Sequence, residues 1–318
     1  MEHPVGNRPD RDVLRAHNAG PERENVVQLA RRLLEPSILV CPGVYDAFTA
    51  RLVEQAGFEA VFLSGAAVSY SALGQPDVGL VGLEEMASRI SSVANAVSVP
   101  VIADGDNGHG SAVNLIRTSR LFEQAGADAV QFEDQVFPKR CGHMGGKQLI
   151  SAQEMALKVE AACHARRHDD FLIIGRTDAR SEEGLEAALS RARLYRDAGA
   201  DVLFVESPLT EEELARCVEA LPGVPLVANM LEGGQTPLVG NRILEALGYS
   251  IALWPNSLVR RFAFAGAALL DELKATDTTG HLLDQMVPFP ALNELLGIED
   301  FAAIEARYLP NQQAMRSQ

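Results

Sequence analysis

Eight short apolar or β-branched runs recur along this chain, most of them followed by a stretch of helical period, and that alternation limits the fold more than anything else in the sequence. The runs are residues 38–41, 60–64, 100–104, 129–133, 171–176, 202–206, 225–229 and 251–254. Between them, residues 46–56, 83–96, 111–125, 152–165 and 185–198 repeat apolar side chains at three- and four-residue spacing, as amphipathic helices do. Helical patterns stop at Ala56-Gly57, Ala125-Gly126, Ala198-Gly199 and Leu247-Gly248. Glycine supplies the left-handed stop there. Strands that are apolar along their length and joined by helices form a parallel sheet covered on both faces. A doubly wound open sheet satisfies that pattern, and so does a closed barrel. Eight units in about 230 residues, with no Gly-x-Gly-x-x-Gly after the first strand, favour a (β/α)8 barrel, for which about 250 residues is typical.

The chain of 318 residues holds one such domain, expected over residues 25–275, with a loose polar arm at 1–24 and a C-terminal helical extension at 276–318. That extension is more helix than barrel closure requires, and surplus helix of this kind covers a neighbouring subunit. Hydrophobic residues make up 47% and charged residues 22%, the balance of a soluble globular protein. A net charge of −15 with no run of Lys and Arg argues against nucleic acid or an anionic membrane as a partner. No apolar stretch reaches the roughly 18 residues that span a bilayer. Cys41, Cys141, Cys163 and Cys217 show no C-x-x-C pair or disulfide-like spacing, which fits a reducing cytoplasm.

Chemistry in such barrels gathers at the C-terminal strand ends. Here those ends carry Tyr45, then Ser64-Gly65-Ala66, Asp104 and Asp106, Glu133, Arg176, Glu206, Asn229 and Ser257. Carboxylates crowded on one rim repel one another, and a bound cation resolves the repulsion. Asp104 and Asp106 are two residues apart and would share a face of a strand that continued straight, with Glu133 one strand over. Three oxygen ligands suit Mg2+ or Mn2+. The other reading of Asp104-Gly-Asp-Asn-Gly-His-Gly110 is a solvated turn capping the next helix. Arg176 can grip a carboxylate through two parallel hydrogen bonds, or form a salt bridge to Glu206 or Asp178. Ser64 to Ala66 can offer backbone N–H groups to an anion. Arg260 either faces the same mouth or is solvated.

The fourth strand runs into a Gly-rich, cationic loop that holds Cys141 and His143 two residues apart. Nearby positive charge lowers a thiol pKa from about 8.5 toward neutrality, which suits Cys141 to moving a proton. Gly142, Gly145 and Gly146 suit a loop that moves. The other cysteines read as small buried hydrophobes.

Lys139-Arg-Cys-Gly-His143, preceded by Glu133-Asp-Gln135, with Asp104-x-Asp106-x-Gly108 and Arg176-Thr-Asp178, resembles the isocitrate lyase and phosphoenolpyruvate mutase superfamily over residues 39–260. Cys141 points to its lyase branch. The resemblance implies a barrel whose eighth helix is exchanged between subunits, a homotetramer built as a dimer of dimers, Mg2+ in the mouth, and a Cys loop closing over a small di- or tricarboxylate. Asn229-Met-Leu-Glu-Gly-Gly234, Pro42-Gly-Val-Tyr-Asp46 and the Leu73-Gly-x-Pro-Asp77 segment are similar to 2-alkylmalate lyases, oxaloacetate hydrolases and carboxyphosphonoenolpyruvate mutases. Arg260 matches an arginine of methylisocitrate lyases. His109 and Asn256 depart from the common pattern. By resemblance, then, Asp104, Asp106 and Glu133 hold the metal, Arg176 and Ser64 to Ala66 fix a carboxylate, and Cys141 is the general acid. His143 and Glu206 orient it and the second carboxylate, while Tyr45, Asp77, Gly142, Asn229, Ser257 and Arg260 complete the pocket. The expected activity is Mg2+-dependent carbon–carbon cleavage of a 2-methylisocitrate or 2-alkylmalate type substrate. Oxaloacetate hydrolysis, a phosphonomutase and a silent keto-acid-binding barrel are the alternatives.

Overall fold

The structure is a computed structural model that describes residues 29–140, 142 and 145–308. The expected N-terminal arm lies outside the described residues. Eight parallel strands close into a barrel in chain order: β1 Leu39–Val44, β2 Val61–Leu63, β3 Val101–Asp104, β4 Ala129–Glu133, β5 Leu172–Thr177, β6 Val202–Val205, β7 Leu226–Asn229 and β8 Ile251–Trp254. The barrel closes where β1 pairs with β8 in the register Leu39↔Ile251. The (β/α)8 expectation is therefore met, with each strand within a few residues of its expected place.

Local chemistry explains where the elements stop. Asp46 caps the helix Ala47–Gln55, its side chain accepting from the Thr49 N–H while Thr49 reaches back in a reciprocal capping box. Ser151 and Thr210 cap the helices Ala152–Ala165 and Glu211–Ala220, their side chains accepting from the Glu154 and Glu213 N–H groups. The helices Ala112–Ala125 and Asn241–Leu247 end on left-handed Gly126 and Gly248, as the sequence pattern requires.

Alternation along the strands sorts side chains into two cores. One lies between sheet and helices and includes Val44, Leu63, Ala103, Val130, Phe132, Ile173 and Leu203. The other fills the barrel with Leu39, Cys41, Phe62, Ile102, Ala129, Leu172, Ile174, Val202, Phe204, Val227, Ile251 and Leu253. The second set is the inward face, repeating every two residues along each strand. The described residues divide into two compact units, one ending at Arg260 and one beginning at Arg261. The second carries most of the helix Ser257–Thr276, a 3-10 turn Gly280–Gln285 and the helices Phe289–Leu295 and Ile298–Tyr308. No residue of these four elements is buried, and Phe264, Leu270, Leu283 and Phe289 are exposed. No helix among the described residues is long and apolar enough to cross a membrane.

Candidate active site

The inward face that fills the barrel turns polar at its last layer. On β5 the inward positions run Leu172, Ile174, Arg176, and on β4 they run Ala129, Gln131, Glu133. From β6 come Val202 and Phe204 and, one step past the strand, Glu206; from β3, Ile102 and Asp104; from β7, Val227 and Asn229. The period of two therefore carries apolar packing below and functional groups above on the same face. Above this layer opens a cleft with about 460 Å3 of empty volume, lined by Asp104, Gln131, Glu133, Arg176, Glu206 and Asn229. Ser64, Ala66, Asp77, Lys139, Arg140 and Gly142 complete its polar lining.

Arg176 organises one wall. It is 7% exposed, and its Nε and Nη2 donate to the two carboxylate oxygens of Asp178 at 3.0 and 3.1 Å. Nη2 also lies 3.2 Å from Glu206 and 3.4 Å from Glu133, and the guanidinium stacks 5.1 Å above Phe204. Both salt bridges named as alternatives to substrate binding are thus present, and the side chain still lines the cleft. Burial opposes the Arg176 charge, but Asp178, Glu133 and Glu206 outweigh it and hold its pKa above the usual range. Asp178 is wholly buried, and Arg176 and Lys147 overcome burial to hold its pKa down to about 2. Asn229 donates to Glu206 at 3.0 Å. Asp134, beside Glu133 but on the opposite face, accepts from Thr177 and Tyr195 at 2.7 Å each, which makes it a prop behind β5.

The carboxylates expected to hold a metal are placed unequally. Asp104 ends β3 and accepts from the Gly65 N–H at 3.2 Å and from Gln131 at 3.1 Å. The strand does not continue straight, because Asp106 sits at φ 48° and its carboxylate turns to Lys139 at 2.8 Å. Burial pushes the Asp106 pKa up to about 6 against the pull of Lys139, and burial also raises that of Glu133 well above the carboxylate range. Among the described residues no three His, Cys, Asp or Glu side chains gather as a direct metal cage. Glu133 Oε1 and Gln131 Oε1 are nevertheless buried without a hydrogen-bond partner, on residues that line the cleft. Buried carboxylate oxygen left unpaired beside Asp104, with only oxygen donors at hand, fits a hard divalent cation that keeps waters or takes substrate oxygens.

The remaining candidates fall in three groups. Ser64 donates to Asn256 Oδ1 at 3.2 Å, so Asn256, noted in the sequence only as a departure, is part of the cleft wall. Asp77 pairs with Lys139, which is 4% exposed. Tyr45 is buried, with burial pushing its pKa up to about 12, and does not line the cleft. Ser257 and Arg260 turn to Glu232, which Arg260 approaches at 3.7 Å, and neither lines the cleft. Cys141 and His143 lie outside the described residues. Between them, Gly142 stands so close to Arg176 and Glu206 that a Cβ would collide with both. His109 meets Phe122 edge to face at 6.4 Å. Gln131, Lys139 and Asn256 escaped the sequence reading as site residues; extending the alternation back from Glu133 would have found Gln131.

The model of the phosphoenolpyruvate phosphomutase family matches residues 29–274. The chain is 46% identical to the 2,3-dimethylmalate lyase of Eubacterium barkeri over 285 residues, 89% of this chain and 98% of that one. It is 44% identical to the 2-methylisocitrate lyase of Aeropyrum pernix over 280 residues, covering 87% and 89%. Among solved structures, an oxaloacetate acetylhydrolase with bound 3,3-difluorooxalacetate aligns at TM-score 0.84 and 33% identity over 88% of this chain and 95% of that one. A phosphonopyruvate hydrolase complexed with oxalate and Mg2+ aligns at 0.81 and 29% identity over 89% and 98%. The closed barrel, the polar layer at its strand ends and these likenesses agree: the chain is an enzyme of the isocitrate lyase and phosphoenolpyruvate mutase superfamily, on its lyase branch.

Proposed function

We propose that this enzyme is a Mg2+-dependent carbon–carbon lyase that splits a 2-hydroxy di- or tricarboxylate into a 2-keto acid and a second carboxylate. The observation that carries the reading is the single polar layer in which Arg176 stands beside Asp104 and the unpaired Glu133 oxygen. Asp104, Glu133 and, on release from Lys139, Asp106 would hold Mg2+, with Mn2+ as the substitute, largely through waters. When bound, the ion supplies electrophilic stabilisation for the oxygen that becomes the keto oxygen. Arg176 and, from the Ser64 to Ala66 segment, the Ala66 backbone N–H hold the adjacent carboxylate, because the Gly65 N–H is given to Asp104 and the Ser64 N–H to Val44. Transfer of the 2-hydroxyl proton to a base in the cleft then forms the keto C=O as the carbon–carbon bond breaks, and the electron pair of that bond leaves on the second fragment as a carbanion that Cys141 protonates. His143 and Glu206 orient the thiol and the second carboxylate.

Substrate size follows from the far wall. Beyond Lys139, Arg140 and Arg176, the cleft lining near β7 and β8 is Asn229, Leu231, Leu253, Pro255 and Asn256, with no cation among the described residues. Arg260 is occupied by Glu232. An alkyl group suits that wall better than a third carboxylate, so a 2-alkylmalate is preferred to a methylisocitrate. The exposed apolar side chains of the C-terminal helices support a homotetramer, and the unpaired thiols support a cytoplasmic location.

The test is a parallel assay with Mg2+ against 2,3-dimethylmalate, 2-methylisocitrate and oxaloacetate, with products resolved by NMR. Pyruvate from the first, faster than from the second, is expected. Oxalate from the third alone would make the protein an oxaloacetate hydrolase, the reading favoured by the likeness to the acetylhydrolase structure. Cys141→Ser should lose turnover by a factor of about 10² to 10⁴ while keeping Mg2+ and oxalate binding; a fully active variant would remove the acid from the mechanism.

A further inference from the structure

Lys147 closes the loop that opens after β4, and its side chain is wholly buried. Its ammonium donates to the Gly142 carbonyl and, at 3.0 Å, to Asp178 Oδ1. That same Asp178 accepts from Nε and Nη2, one edge of the Arg176 guanidinium. The Gly142 carbonyl also accepts from Ser207 Oγ at 3.3 Å. Burying an ammonium is costly unless it is paired and hydrogen-bonded, and an apolar side chain of similar length would fill the space without that cost. What an apolar residue cannot do is join a backbone carbonyl to a carboxylate.

We propose that Lys147 is a positioning residue. One ammonium ties Gly142 to Asp178, and Asp178 in turn sets the plane and depth of the Arg176 guanidinium in the cleft. The seating of the loop backbone and the aim of the arginine are then a single arrangement. The inference rests on the reading that Arg176 holds the substrate carboxylate. A guanidinium displaced by about 1 Å loses its bidentate fit, and misplacement of that size costs on the order of 100-fold.

Lys147→Met and Lys147→Arg, compared with wild type by calorimetric titration of oxalate in saturating Mg2+ and by steady-state kinetics, test this. The expected result for Lys147→Met is an oxalate affinity about 10-fold weaker and a kcat about 100-fold lower. Lys147→Arg should recover part of both. A merely structural lysine would lower the melting temperature and the fraction of competent sites, counted from the oxalate stoichiometry, while leaving affinity and kcat per competent site unchanged. That outcome overturns the proposal, as does wild-type oxalate binding in both variants. If Lys147→Met does not fold, Asp178→Asn replaces it: unchanged oxalate affinity there equally sinks the relay. Should wild type turn over none of the substrates tested above, the functional reading fails while the oxalate arm still judges Lys147.

Discussion

The two walls of the cleft are built on different principles. The wall from β3 to β6 is ionic: Asp104, Glu133, Arg176 and Glu206 stand within one layer, backed by the buried pairs Arg176–Asp178 and Lys147–Asp178. The wall from β7 to β8 presents Asn229, Leu231, Leu253, Pro255 and Asn256, with neutral hydrogen bonding such as Ser64 to Asn256. In a low-dielectric cleft the ionic wall supplies strength and fixes orientation, because a displaced charge leaves its partner buried and unpaired. The neutral wall can change without that cost. On the proposed function, chemistry is assigned to the first wall and choice of substrate to the second.

Experiments that break this division should show effects in descending order. Arg176→Lys keeps the charge but loses the bidentate geometry, and kcat/KM should fall by about 100-fold or more, with oxalate binding in Mg2+ weakened in titration. Glu133→Gln should weaken Mg2+ by a factor of about 10 to 100, read by activation curves, while leaving the fold intact. Leu231→Ala, on the neutral wall, should change KM about 10-fold and shift the preference among alkylmalates, leaving kcat for the best substrate within a few-fold. Arg260→Ala should leave both constants within about twofold, since its partner is Glu232 outside the cleft. A large loss there, with Leu231→Ala silent, would reverse the assignment of the two walls.

Acid stability probes the ionic wall from another side. The folded pKa of Asp178 is about 2, below the ordinary carboxylate value of about 4. A depressed acid stabilises the fold fully above the unfolded pKa and loses that contribution as pH falls from about 4 toward 2. About 2 kcal/mol should disappear across that window in denaturant melts. Asp178→Asn should flatten this part of the profile and lower stability at neutral pH.

The barrel was legible from the sequence because its strands and helices obey separate periods and Gly57, Gly126, Gly199 and Gly248 mark the stops. Arg176, Glu133 and Asn229 were legible as the polar residues that end otherwise apolar strands, where barrels of this kind place their functional groups. Asp106 was placed on the wrong kind of backbone, since a left-handed residue at φ 48° breaks the alternation and sends its carboxylate to Lys139. Ser257 and Arg260 were drawn toward the cleft by the strand that precedes them, but Glu232 competes for both, and such a contact has no signature in spacing. Lys147 has no signature in spacing, and the burial of its side chain against Asp178 is what supports the role proposed for it.

The hydrogen bond from Ser64 to Asn256 joins residues 192 positions apart, and the barrel closes by zipping β1 onto β8. A ribosome must therefore deliver nearly the whole barrel before the cleft can have its final wall. Contacts so distant in sequence make folding slow relative to helical proteins of equal length. Synthesis order thus sets when the cleft can exist: a chain stalled before Trp254 carries Arg176, Asp104 and Glu133 but lacks the strand that closes the barrel.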